Sequence, residues 1–259
     1  MSSCPGGDDS LAFSGRRVVV TGASSGIGRA CALELSRHGA RVILIGRNEA
    51  TLAETRALLS GTEHEVVTLD LSDTDRVSGE IARVADRAGR LYGLCHAAGT
   101  TATQPLAATT PEMLRSLMGV TVIAGLELAR AITRRTVMEE DGGSLVFVSS
   151  VYGRVGVPGE TGYSASKGAI AAAVRSMAIE LARRRIRVNT VSPGLVKTPM
   201  TDRALEVLSP EQVEAIVSKH PLGTGTPADV ARAVVFLLAP ANEWITGADL
   251  VVDGGYSAH

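Results

Sequence analysis

Residues 16–28 read RRVVVTGASSGIG, a β-branched run that passes without a spacer into a turn holding Gly22, Gly26 and Gly28. The overlapping IGRACALELSRHG at 27–39 is rich in helix formers. Strand, glycine turn and helix in that order bring backbone N–H groups to a helix N-terminus, the donor arrangement that suits a pyrophosphate. A plain tight turn has the same composition, and the GxxxGxG spacing differs from the GxGxxG of the commonest dinucleotide fold. What surrounds the turn decides between the two readings.

Working outward, the same alternation recurs. RVILI (41–45), HEVVTL (64–69), LYGLC (91–95), SLVFVS (144–149), IRVNTV (186–191) and ADLVV (248–252) are strand candidates, short and β-branched. NEATLAETRALLS (48–60), the stretch from 111 to about 137, and PADVARAVVFLLA (227–239) read as helices. The strands lack period-2 alternation, so both their faces are buried, and intervening helices imply a parallel sheet covered on both sides. The expected architecture is α/β: a Rossmann-type, doubly wound, seven-stranded parallel sheet with helices on both faces, in one domain over 14–259. Residues 1–13, mostly small and polar, read as a disordered lead-in.

With 259 residues and 45% hydrophobic content, the chain has the apolar material for one such domain. Its formal net charge of −1 offers no basic field to nucleic acid or an anionic membrane. No run reaches the ~18 apolar residues of a membrane helix, and the N-terminus lacks the basic and apolar regions of a signal peptide. Cys4, Cys31 and Cys95 are odd in number and scattered, which fits neither a disulfide framework nor a metal cluster. That usage points to a reducing, cytoplasmic setting.

Doubly wound sheets bind ligands beyond the carboxyl ends of their strands. Past the fifth strand stands Ser150, followed after 13 residues by Tyr163 and after a further four by Lys167, in TGYSASKGAI (161–170). On a helix Tyr163 and Lys167 share a face. Alone, they are equally a solvated surface pair that stabilises little. TGASSGIG (21–28), SSVYG (149–153), YSASK (163–167) and SPG (192–194), in that order, resemble the short-chain dehydrogenase/reductase family over about 14–256. The resemblance is to its single-domain branch, near the 3-oxoacyl-carrier-protein reductases, and less to the longer sugar-nucleotide epimerases.

This resemblance implies hydride transfer between a nicotinamide cofactor and a carbonyl or secondary alcohol. Tyr163 would protonate the substrate oxygen. Lys167 would favour the ionised phenol by its charge and hold the nicotinamide ribose, while Ser150 would hydrogen-bond the oxygen as charge develops there. Cofactor contacts are implied for Gly22, Ser24, Ser25, Gly26, Ile27 and Gly28 in the turn, Arg47 and Asn48 after the second strand, and Asp70 and Leu71 after the third. Ala97, Ala98 and Gly99 after the fourth strand and Pro193, Gly194, Val196 and Thr198 after the sixth complete the set with Tyr163 and Lys167. A free ribose diol usually meets an acidic residue at the end of the second strand. Arg47 stands there instead and suits a 2′-phosphate, so NADP(H) is favoured over NAD(H), although many relatives carry a second basic residue where this chain has Ser25.

GRVGVPGE (153–160) and a helical lid within 195–220, bearing Leu205, Leu208 and Ile216, would wall the substrate. They suggest a small, largely apolar ketone or a 3-oxoacyl thioester. ARRRIR (182–187) reads either as a dock for an acidic carrier protein or as cations at a helix C-terminus. WITGADLVVDGGY (244–256) resembles the region through which relatives form tetramers, implying a homotetramer or dimer. Two residues depart from the family pattern. His96 replaces the first asparagine of NNAG, without metal-ligand spacing around it. Thr121 replaces an asparagine that, in relatives, sits at a helix irregularity and positions a water linking the lysine to solvent. Thr121 itself, another group such as His96, or slow proton resupply are the open outcomes. A redox-inactive cofactor-binding protein, an epimerase or dehydratase, and an NAD-dependent alcohol dehydrogenase are the alternatives to an NADP(H)-dependent reductase, which the intact Ser150, Tyr163 and Lys167 favour.

Overall fold

All seven expected strands form, each within two residues of its sequence-derived bounds: β1 (Arg17–Thr21), β2 (Arg41–Gly46), β3 (Glu65–Thr68), β4 (Gly93–His96), β5 (Gly143–Val148), β6 (Ile186–Pro193) and β7 (Asp249–Val252). The structure, a computed structural model, describes residues 13–206 and 208–258. The strands pair parallel in the order β3-β2-β1-β4-β5-β6-β7. Around them lie α1 (Gly26–Arg37), α2 (Glu49–Ala57), α3 (Thr74–Ala88), α4 (Pro111–Met118), α5 (Ala124–Ile132), α6 (Thr161–Leu181), α7 (Pro199–Leu205), α8 (Pro210–Val217) and α9 (Pro227–Leu238). Successive strand residues feed opposite faces. Val18 and Val20 pack with Cys31, Leu35, Leu52 and Leu238, whereas Val19 packs with Ile81, Leu128 and Val174. Two apolar layers on one sheet explain why the strands read as unbroken hydrophobic runs.

The chain leaves β1 toward β2 and β3, then returns to lay β4 on the other side of β1. The strand order reverses there, and the crevice above the β1 and β4 ends is the ligand position of such sheets. Thr21 and His96 face each other across it in register.

The structure corrects four sequence expectations. The helix expected over 111–137 is two helices, α4 and α5, separated by a π-helical turn at Gly119–Ile123, and it ends at Ile132. Thr133 caps that end, its hydroxyl donating to Ala129 O at 2.7 Å. The lid is likewise two short helices, α7 and α8. Arg187 of ARRRIR is not a surface cation: it is buried in β6 and donates to the carbonyls of Leu237, Leu238 and Ala239 at 2.5–3.0 Å, satisfying the C-terminal end of α9. Finally, Phe13, placed in the lead-in, is fully buried and stacks edge-on against Tyr92. A lone aromatic after a polar run has no periodicity to announce its burial. Residues 1–12 of that lead-in, with Cys4, lie outside the described residues. Among the described residues no helix is long and apolar enough to cross a membrane, and Cys31 and Cys95 are buried free thiols.

Candidate active site

Ser150 leaves the end of β5 with extended backbone, and its Oγ accepts from Tyr152 N at 3.2 Å. The next residues make one 3₁₀ turn that lies directly on α6. A Cβ on Gly153 would meet the Lys167 carbonyl carbon at 2.9 Å, so only glycine permits this approach. The turn thereby brings Ser150 to Tyr163, on the first turn of α6. Lys167, one helical turn on, is buried, donates from Nζ to Val148 O at 2.9 Å, and holds Nζ 5.5 Å from the Tyr163 ring centroid. All three sequence-predicted residues therefore meet at the carboxyl end of β5.

Their protonation differs from expectation. Tyr163 is pushed up to about 12, chiefly by burial, against a lowering by its hydrogen bond with Ser150; Glu160 and Tyr152 push it further up. Burial pulls Lys167 down to about 8. Desolvation thus dominates both shifts, leaving a neutral phenol beside a lysine still mostly charged at neutral pH.

The glycine turn is shaped by close backbone approaches. A Cβ on Gly28 would lie 2.2 Å from Gly22 O, and one on Gly22, at φ +64°, would lie 3.0 Å from Ala98 N. The turn is held from outside: Thr55 Oγ1 donates to Ala23 O at 3.0 Å, and Arg29 donates to Thr55 Oγ1 at 2.9 Å and to Ser24 O at 2.6 Å. At the start of α1, Ser25 makes no side-chain cap and the first turn has no acidic residue, so the helix N–H donors stay available to an anion. Gly26 faces Thr198, whose side chain a Cβ there would meet at 3.4 Å, so the turn closes on the segment that runs from Pro193, the last residue of β6, through Gly194 and Val196. This donor set and cradle fit a dinucleotide. Ala97, Ala98 and Gly99 lie on the same crevice; a Cβ on Gly99 would sit 3.4 Å from Lys167 Nζ and 3.6 Å from Thr121 Oγ1. Ile27 packs against the core beneath the turn, and Leu71 is buried in the apolar layer on the other face of the sheet. Arg47 is exposed past β2; Asn48 is occupied capping α2 through Thr51 N, and Asp70 accepts from Ser72 N and Oγ.

A family profile described as Enoyl-(Acyl carrier protein) reductase matches residues 22–257. A glucose 1-dehydrogenase of Gluconobacter oxydans (strain 621H) is 38% identical, the match covering 95% of this chain and 94% of that protein. A 3-oxoacyl-[acyl-carrier-protein] reductase FabG of Thermotoga maritima is 33% identical, covering 95% and 99%. A crystal structure of a proposed short-chain alcohol dehydrogenase from Sinorhizobium meliloti 1021 superposes with a TM-score of 0.90 at 31% identity, covering 96% of this chain and 99% of that one. This chain belongs to the short-chain dehydrogenase/reductase family.

For a member of this family the two departures have defined surroundings. His96 is buried, with Nε2 3.2 Å from Val120 O and Nδ1 2.9 Å from Thr21 Oγ1, which also accepts from Ala98 N at 3.1 Å. A carbonyl only accepts, so this network assigns the proton to Nε2 and makes Nδ1 the acceptor of the Thr21 hydroxyl. Burial, and secondarily the Lys167 charge, pull His96 down to about 4. That carbonyl belongs to the π turn. Thr121 sits on that turn, buried, with its hydroxyl unpartnered.

Around the dehydrogenase/reductase site stand aromatic residues to which the sequence analysis gave no role. Tyr152 lies edge-on to Tyr163 at 6.4 Å, Tyr256 tilts against Tyr152 at 6.3 Å, and His220 stacks on Tyr256 at 4.6 Å. His220 also ties the end of the lid to the β6 exit, its Nε2 accepting from Leu195 N at 3.0 Å. The nearest sequence signal was the position of Tyr152, two residues after Ser150; nothing local marks His220 or Tyr256.

Proposed function

We propose that this protein is an NADP(H)-dependent carbonyl reductase or alcohol dehydrogenase that acts on a small ketone or 3-oxoacyl thioester. One observation carries the reading: Ser150, Tyr163 and Lys167 converge at the mouth of a glycine-turn cradle, with Lys167 buried against Gly99. The bound nicotinamide supplies or accepts the hydride. Ser150 holds the substrate oxygen, in a hydrogen bond that strengthens as charge grows on that oxygen. Tyr163, neutral at physiological pH, gives its proton to the same oxygen in reduction and takes it back in oxidation. Lys167 commits one N–H to Val148 O and keeps its remaining donors for the ribose and for resupply of the phenol's proton. Exposed Arg47 supports NADP(H) over NAD(H). Similarity to FabG supports a carrier-bound thioester among the substrates, and with the scattered cysteines it supports a cytoplasmic homo-oligomer, tetramer or dimer.

The test is NADPH and NADH consumption over a panel of ketones and 3-oxoacyl thioesters, run with wild type and Tyr163→Phe. We expect turnover of at least one substrate, a kcat loss of about 10²- to 10⁴-fold in Tyr163→Phe, and nearly unchanged NADPH affinity. A variant that keeps more than half the wild-type kcat removes Tyr163 from this role.

A further inference from the structure

The lid joins the body of the molecule through a narrow neck. Neither α7 nor α8 contributes a fully buried residue, so little apolar burial fixes the two helices in place. At the foot of the lid Gly225 N donates to Leu195 O and Lys197 N donates to Gly225 O, each at 2.9 Å. The chain therefore enters and leaves the lid through one short parallel bridge, Val196 to Gly225.

The side chain of His220, three residues past α8 and only 5% exposed, crosses this neck. Its Nδ1 lies 3.0 Å from Ile216 O in the last turn of α8, and its Nε2 accepts from Leu195 N at 3.0 Å. A carbonyl only accepts, so Nδ1 carries the proton and each ring nitrogen has one partner, one on the lid and one at the β6 exit. The ring itself cannot drift. It stacks on Tyr256 with centroids 4.6 Å apart, and a Cβ on Gly194 would meet Nε2 at 3.0 Å. The chain around it is anchored as well: His220 O accepts from Gly223 N at 2.7 Å, and Leu222 N donates to Gly254 O, past β7, at 3.0 Å. Both ends of this arrangement reach the site. The lid begins at Thr198, which faces Gly26 of the glycine turn, and Tyr256 continues through Tyr152 to Tyr163.

We propose that His220 is a positioning residue: by holding Leu195 N it keeps the β6 exit and the lid in one register, and so sets the affinity for cofactor and for substrate without touching either. The proposal rests on the reading of the segment after β6 as the nicotinamide contact. Losing Nε2 leaves the Leu195 N–H without its acceptor, and Gly194 and Val196 on either side lose their fixed place. Ser150, Tyr163 and Lys167 stand on other elements, so the chemical step itself proceeds as before.

The experiment compares wild type with His220→Gln, His220→Asn and His220→Phe. A glutamine carries an acceptor about as far out as Nε2, an asparagine reaches only the Nδ1 position, and a phenylalanine keeps the ring on Tyr256 but neither nitrogen. Hydrogen exchange of the Leu195 amide is measured without cofactor, with the Ala98 amide, bonded to Thr21 Oγ1, as internal reference. Dissociation constants for NADPH and NADH come from fluorescence titration, and kcat and KM from a substrate of the panel above. In the Asn and Phe variants we expect Leu195 exchange to rise about tenfold relative to Ala98, and cofactor Kd and substrate KM each to rise roughly five- to tenfold, as the loss of one buried hydrogen bond allows. We expect kcat to stay within about threefold and the Gln variant to recover most of each loss. A Gln variant as impaired as the Asn variant overturns the proposal, and this pair decides alone if the Phe variant does not fold. Unchanged Leu195 exchange overturns it too, as does a loss confined to thermal stability or to kcat, which a structural or a catalytic role would give. Wild type that binds neither NADPH nor NADH overturns the cofactor reading and this proposal with it. Wild type that binds cofactor but turns over nothing counts against the oxidoreductase reading alone, while exchange and Kd still judge His220.

Discussion

Arg47 stands exposed one residue past β2, and its charge reaches Asp70 beyond β3. Two hydrogen bonds from Ser72 hold Asp70 below the usual carboxylate range, and Arg47 adds a smaller lowering. On the NADP(H) reading proposed above, the guanidinium would meet the 2′-phosphate, while Asp70 turns its Oδ1 to Ser72. Replacing the cation by a carboxylate reverses the local sign: Arg47→Asp repels a 2′-phosphate and can accept hydrogen bonds from a free diol. We expect the kcat/KM ratio of NADPH to NADH to fall by roughly ten- to a hundredfold, the loss of one charge-assisted contact. A ratio that does not move makes Arg47 an ordinary solvated side chain.

The residue that most separates this chain from its resemblance, Thr121, stands on the π turn between α4 and α5. The turn falls on the β-branched run VTVI (120–123), which crowds a helix, and His96 Nε2 lies 3.2 Å from Val120 O there. Thr121 on that turn carries a buried hydroxyl without a partner, near the Gly99 position that also approaches Lys167 Nζ. It is shorter than an asparagine and has one polar atom instead of two, so it would hold the relay water that the resemblance implies less firmly. Thr121→Asn should raise kcat and shrink the solvent deuterium isotope effect, because proton resupply then limits turnover less. Lower activity in a variant that still folds and binds NADPH would make Thr121 already a working part of the site. The sequence revealed the strands and the glycine turn because both are local: a doubly covered strand is an apolar run, and a close backbone approach needs glycine. The π turn was legible only through the resemblance, which implies an irregularity at Thr121; the residues themselves conceal it, since Val120 and Val122 keep an apolar helical pattern. Arg187 was not legible, since its cationic run masked its place inside β6.

At the scale of the whole molecule, His96 couples the sheet to pH. Its neutral ring accepts from Thr21 at the end of β1 and donates to Val120 at the π turn, so it joins the glycine turn, the Ala97–Gly99 segment through Ala98 N, and the α4–α5 junction. Phe147 packs edge-on against it, Gly125 leaves no spare volume beside it, and Lys167 is the nearby charge that adds to the effect of burial. A protonated ring would put a donor against the Thr21 hydroxyl, whose oxygen already accepts from Ala98 N, and would leave the hydroxyl hydrogen without its acceptor. In the folded protein the group titrates at about 4, against about 6.5 in an unfolded chain. Between those values the unfolded state holds a proton that the native state lacks, so stability rises with pH. The contribution is fully present above pH ~6.5 and is lost as pH falls toward ~4, in total about 3 kcal/mol at ~1.4 kcal/mol per pH unit. Glu139 and Glu160, raised by burial, work with the opposite sign, and Lys167, lowered to about 8, acts only at alkaline pH. Comparing wild type with His96→Asn at fixed protein concentration removes these shared contributions. Urea unfolding between pH 4 and 7.5 should show a less stable variant whose free energy depends on pH less steeply, by ~1.4 kcal/mol per unit between about pH 4.5 and 6. Parallel curves, offset but equal in slope, would mean that His96 is not the neutral buried ring on which this coupling depends.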